Sequence, residues 1–140
     1  ITDTLDRARF PRVGFSSLFL PLLEDERLTQ RAGQGVLVVN ELLLYSAVCG
    51  TGLDTIPLSG DTSTDQLAAI LLDVAALALR LDKPLTARLM PMPGKIAGDA
   101  ISFNFPYFAN GHVMDHRARA LGNLLAEDEQ FDLRAIRRYA

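Results

Sequence analysis

Two short stretches gather the residues able to do chemistry. The first, Ser46 to Ser63, reads SAVCGTGLDTIPLSGDTS and holds the only cysteine of the chain, Cys49, together with Asp54, Asp61 and three glycines. Cys49 is a candidate nucleophile or radical carrier. The turn Gly60–Asp61–Thr62 leads into a predicted helix, so its backbone N–H groups could cradle an anion. The second stretch, PMPGKIAGD, places Lys95 beside Gly94 and ahead of Asp99 in a loop that follows a predicted strand. A loop lysine of this kind is placed to meet an anionic group. The chemistry these residues could share is simple. Lys95 and free helix N–H groups would hold a small carboxylate or phosphate, and Asp54 or Asp99 would move a proton.

Each candidate also has a structural explanation. Asp61, Thr62 and Ser63 are what a helix cap needs with no ligand present. Lys95 could be a solvated loop lysine. Cys49 falls near the C-terminal end of a predicted helix, where the dipole disfavours thiolate, so it reads more readily as a small buried hydrophobe. Asp54 is different, because it lies inside the apolar segment LDTIPL, where a carboxylate is disfavoured unless paired or functional. Lys95 is its expected partner. A third motif, HVMDH, sets His112 and His116 at helical i, i+4 spacing around Asp115, as in some metal sites. It lacks the glutamate of the zinc-protease pattern, and Gly111 weakens a helix there, so no metal is assigned.

The elements that must position these residues are read from periodicity. Pro11 makes Phe10 a predicted helix stop. Arg12 to Pro21 reads as extended, and LEDERLTQRAG as a short helix stopping near Gly33. VNELLLYSAVCG predicts a helix capped by Asn40, with Glu41 in its first turn and Gly50 as a left-handed C-terminal residue. Ser63 and Gln66 form a capping-box pattern ahead of a helix reaching about Leu81. Both helices are apolar nearly all round, which predicts burial. LTARLM reads as a strand, ISFNFPYF as a strand up to Pro106, and His116 to Ala126 as a helix. Helices alternating with short strands predict an α/β fold with mixed or mostly parallel strands and buried helices.

Composition bounds the function classes. Of 140 residues, 49% are hydrophobic and 22% charged, and the formal net charge is -3. One domain with its own core is expected over residues 1–140. No Lys/Arg run marks a nucleic-acid stripe. The longest apolar run, Leu67 to Leu81, is shorter than the ~20 residues of a membrane span and is interrupted by Asp73 and Arg80. One cysteine cannot form an internal disulfide, which fits a reducing, cytoplasmic setting. The chain begins with Ile1, and two helices apolar on almost every face need cover. Both features suggest packing against further protein: a missing N-terminal portion or a partner subunit, with a homo-oligomer possible; the alternative reading of the helices places them centrally in one small compact domain.

LLLYSAVCGTGLDTIPLSGDTS and ARLMPMPGKIAGD, with FNFPYF and VM further on, resemble the C-terminal signature of an uncharacterised family, domain of unknown function 711. The resemblance runs from roughly Gly14 to Met114. It implies that this chain corresponds to the C-terminal portion of a longer protein, with a fold similar to the α/β barrel of pyruvate formate-lyase. It brings no established activity and no cofactor. The glycyl-radical motif of that fold, Arg-Val-x-Gly-aromatic, is not found in the chain, so radical chemistry is not carried over. The function read from the sequence is therefore an uncharacterised, small anionic metabolite-binding enzyme lacking the radical. The alternative is a non-catalytic metabolite-binding or assembly module. No nucleic-acid or membrane partner is expected.

Overall fold

The computed structural model of the chain describes residues 1–122 together with 130, 132, 134 and 135. Its centre is a parallel strand pair, β1 (Gly52–Ser59) and β2 (Thr86–Met92), joined by the helix α4 (Thr64–Leu81). This is the βαβ unit expected when two apolar strands flank one long helix. Before it come α1 (Thr2–Arg7), a 3-10 turn (Leu22–Glu24), α2 (Glu26–Gly33) and α3 (Val39–Tyr45). After it a short antiparallel pair forms between β3 (Ala100–Ile101) and β4 (Gly111–His112). Met114 then bridges Leu58 in parallel and donates its N–H to the Pro57 carbonyl at 2.8 Å, flanking β1 on the side away from β2. Parallel and antiparallel pairing thus coexist in a mixed α/β arrangement.

One irregularity decides which side chains of β1 face which way. Leu53 pairs with Ala87 and Ile56 with Leu89, so Asp54 and Thr55 together oppose Arg88. One extra residue on a strand reverses the alternation beyond it. Without the bulge, Leu53 would share a face with Thr55 and Pro57. With it, Leu53, Ile56 and Leu58 all enter one core with Leu42 of α3 and Ile70 and Val74 of α4. Full burial of each such aliphatic side chain stabilises the fold by about 1.5–3 kcal/mol. The opposite face carries a smaller core of Leu23, Ile101 and Val113, packed by Met90, Met92, Phe103 and Phe108.

The capping box at α4 forms as the sequence predicts: Ser63 Oγ accepts from Gln66 N–H at 3.2 Å, and Gln66 Oε1 accepts from Ser63 N–H at 2.9 Å. Other expectations are corrected. α3 begins at Val39 with Val38 as its N-terminal cap, so Asn40 lies inside the helix. Valine has no side-chain acceptor, and Glu41 Oε2 instead takes the Val38 N–H at 2.8 Å. α3 ends at Tyr45, and Gly50 is not left-handed. Gly50 N–H donates to the Leu18 carbonyl as Leu18 bridges Cys49, which is all the pairing found in the segment expected to be extended from Arg12 to Pro21. The strand expected over ISFNFPYF is limited to Ile101 and its neighbour Ala100.

The two apolar helices are not wholly buried. α4 buries Ile70 and Val74, while Leu71, Leu72 and Leu79 are exposed. α3 buries Val39 and Leu42, while Leu44 and Tyr45 are exposed. A single sheet face can cover only one stripe of each helix. The helix expected from His116 is irregular over residues 116–121, and the remainder, with the basic end, lies largely outside the described residues.

Candidate functional site

Asp54 sits in the β1 bulge with its side chain 8% exposed. Its partner is Arg88 on β2, not Lys95: Arg88 Nε donates to Asp54 Oδ1. Arg88 Nη2 donates to Glu24 Oε1 at 2.8 Å, so one guanidinium joins two carboxylates. The hydrogen bond to Asp54, opposed by partial burial and reinforced by Glu24, raises Arg88 above its ordinary pKa. The carboxylate disfavoured in an apolar strand is thus ion-paired across the parallel ladder.

Thr55 completes this arrangement. It is 1% exposed and has φ of +53°, a left-handed conformation that is uncommon for a β-branched residue. Its hydroxyl donates to the Asp54 carbonyl at 2.8 Å and accepts the Leu23 N–H at 2.9 Å. The bulge therefore docks the 3-10 turn that carries Glu24. Such strain costs on the order of 1–3 kcal/mol and persists only where surrounding contacts over-determine it.

The two glycine-rich turns meet at the other end of the strands. Gly60 N–H donates to the Lys95 carbonyl at 2.9 Å. A Cβ on Gly60 would lie 2.4 Å from the Met92 carbonyl oxygen, so only glycine permits this approach. Thr62 closes its own turn, its N–H and hydroxyl both donating to the Ser59 carbonyl. Asp61 is exposed, and the cap it was read as sharing falls to Ser63. Gly94 is left-handed at φ +73° in the second turn. Lys95 Nζ donates to the Ala100 carbonyl at 2.8 Å, and Asp99 Oδ2 accepts the Ile96 N–H at 2.8 Å.

The structure therefore brings Gly60, Asp61, Thr62, Gly94, Lys95 and Asp99 to one end of the sheet and leaves Asp54 near the other. Gly60 lies six positions beyond Asp54 along β1 and its turn, roughly 15–20 Å at ~3.3 Å per residue. Asp54 and Lys95 do not form one constellation.

Cys49 lies four residues beyond the end of α3 and is 1% exposed. Burial pushes its thiol pKa up, but hydrogen bonding with the Thr51 side chain and with the backbone of Thr51, Gly52 and Leu20 together outweighs this, and the net shift is downward. The expected penalty from a helix C-terminus does not apply, because the helix stops short of it. His112 and His116 share no helix face either. His112 is in β4, and the chain from it is extended rather than helical. His116 Nδ1 accepts the Ala118 N–H at 3.0 Å. Among the described residues no three His, Cys, Asp or Glu side chains are grouped to hold a metal ion.

Arg88, Glu24 and Thr55 were missed by the sequence reading. The available signal was a lone acid in one apolar strand and a lone base in the next. Pairing them needs the parallel register, which the sequence does not contain.

A parallel strand pair with its helices on one face, a paired charge network on the other and glycine turns at the strand ends defines a mixed α/β protein. The chain belongs to the family Uncharacterised ACR (DUF711), which matches residues 1–110. It is similar to a UPF0210 protein of Pyrobaculum aerophilum, 49% identical over 86 residues that make up 61% of this chain and 19% of the relative. A UPF0210 protein of Syntrophobacter fumaroxidans is 41% identical over 90 residues, 64% of this chain and 20% of that protein. The match thus spans about a fifth of the length of these curated relatives. No solved structure matches the chain. Among the described residues no helix is long and apolar enough to cross a membrane.

Proposed function

We propose that the chain supplies a small-anion site to a longer, cytoplasmic α/β enzyme of this family, one working without a glycyl radical. The observation that carries this reading is the hydrogen bond of 2.9 Å from Gly60 N–H to the Lys95 carbonyl. It joins two glycine-rich turns at the C-terminal ends of parallel strands, where α/β proteins bind ligands. In this reading Gly60 and Thr62 shape the turns through their own hydrogen bonds, Lys95 and the backbone N–H groups of Asp61 and Gly94 hold a carboxylate or phosphate, and Asp99 is the proton-transfer group beside it. Asp54 orders the opposite end of the sheet through Arg88, and Cys49 packs. The chain would form the C-terminal portion of a pyruvate formate-lyase-like barrel. Its exposed helix faces would meet the rest of that polypeptide or a second copy.

The test is thermal unfolding of a longer family protein carrying this chain, with small carboxylates and phosphates. A ligand at 100 times its Kd stabilises by about 2.7 kcal/mol. A saturable rise in Tm that Lys95→Gln reduces is the expected result. No rise, or the same rise in the variant, defeats the reading. The second reading, a non-catalytic assembly module in which these loops are structural turns, is favoured by the internal pairing of Asp54 with Arg88 and of Lys95 with Ala100. It predicts no ligand-dependent rise with any member of the panel.

A further inference from the structure

A separate cleft lies where α2 crosses β4. We propose that it is a second binding site, for a small polar molecule carrying a carboxylate or phosphate, with the Arg27 guanidinium and an N–H of the His112 imidazole as its principal donors. The cleft has a volume of about 530 Å³ and is lined by Arg27, Gln30, Gln34, Asn110 and His112, with Glu26 at its edge. That volume falls in the range of small-molecule sites.

Two glycines build it. A Cβ on Gly111 would lie 2.6 Å from Thr29 Cγ2, so the Thr29 methyl packs directly on the strand backbone. A Cβ on Gly33 would lie 2.6 Å from His112 Nδ1, so the imidazole packs directly on the last turn of α2. The floor is rigid: Thr29 is buried, and its hydroxyl is held by the Leu22 and Asp25 carbonyls at 2.6 and 2.9 Å. Asn110 Oδ1 accepts the Phe103 N–H at 3.1 Å, which leaves the amide N–H₂ as its remaining donor. Arg27, Gln30 and Gln34 follow one another at i, i+3 and i+7, the spacing of one helix stripe. The lining therefore offers N–H donors from Arg27, Gln30, Gln34, Asn110 and His112 in a chain whose net charge is -3. One acid, Glu26, suits a hydroxyl or amine on the same ligand. This site does not depend on the Lys95 turn.

Isothermal titration of this chain with inorganic phosphate, malate and gluconate tests the proposal and separates the phosphate and carboxylate arms. Saturable binding of at least one is expected. Arg27→Gln and His112→Gln should each weaken it about tenfold or more, the loss of one charge-assisted hydrogen bond. Gly33→Ala should weaken it too, by displacing the imidazole, and Lys95→Gln should remove only binding at the separate Lys95 turn, leaving the component that Arg27→Gln and His112→Gln weaken. Far-UV circular dichroism establishes that each variant is folded. Binding by none of the three probes overturns the proposal. So does binding that Arg27→Gln and His112→Gln leave unweakened, or binding that only Lys95→Gln removes.

Discussion

Asp54 illustrates how a residue that looks catalytic in sequence can be accounted for by its surroundings. Its carboxylate is buried, but the guanidinium of Arg88 meets it across the ladder, and Glu24 holds the same guanidinium from the other side. Breaking a fully buried pair by removing one partner costs about 3–5 kcal/mol. Arg88 is 53% exposed, so solvent screens part of this. Arg88→Met should therefore cost about 1–2 kcal/mol in urea unfolding. Asp54→Asn together with Arg88→Met should cost less than the sum of the singles, by about 0.5–1 kcal/mol or more. Strict additivity would show that the pair has no coupling in solution.

Among the elements, the caps separate what composition suggests from what geometry uses. Ser63 makes both halves of a capping box at α4, and Ser63→Ala should cost about 1 kcal/mol. Asn40 has the right chemistry for a cap but sits one turn position inside α3, while Glu41 reaches back to the Val38 N–H. Asn40→Ala should then be within about 0.5 kcal/mol of neutral, because alanine is the better helix former and no cap is lost. Glu41→Ala should cost more, about 0.5–1 kcal/mol, through the lost N–H partner and the lost charge at the helix start. Urea midpoints for the three variants check the order; an Asn40→Ala loss equal to that of Ser63→Ala would restore Asn40 as the cap. Lys83 serves the other end of α3, donating to the Ser46 and Ala47 carbonyls, both at 3.0 Å, as a cation at a helix C-terminus does.

For the molecule as a whole, the question is what the apolar helices face. Leu44 is 69% exposed and Leu79 56% exposed, on two helices whose other faces build the core. In this chain Leu44→Glu and Leu79→Glu should change stability by less than about 0.5 kcal/mol, since nothing is uncovered by either change. In a longer family protein the same changes should cost about 1.5–3 kcal/mol each, if the remaining polypeptide buries these side chains. Parallel urea unfolding of both proteins makes the comparison. Equal, small effects in both would leave the exposed faces without cover in either protein.

Much of the architecture was legible in local pattern. The strand–helix–strand unit from Gly52 to Met92 follows from two apolar runs around a capped apolar stretch, and α4 starts where its capping box puts it and ends at Leu81. Less of the candidate site was legible. Gly60, Asp61, Thr62, Gly94, Lys95 and Asp99 do gather at one end of the sheet, because parallel strands bring equivalent turns together. Asp54 pairs with Arg88 rather than with Lys95, which the sequence could not show because sequence separation says nothing of direction along a strand. Tertiary structure alone decided the rest. Strand register paired Asp54 with Arg88, and a one-residue bulge at Thr55 turned Leu53, Ile56 and Leu58 to the same face. Two glycines far apart in sequence, Gly33 and Gly111, let α2 close onto β4 and opened a cleft around His112. The sequence by itself determined what could be buried and where helices start, because hydrophobic period and cap chemistry act over a few residues. Partners, faces and clefts depend on contacts dozens of residues apart, and those exist only once the chain has folded.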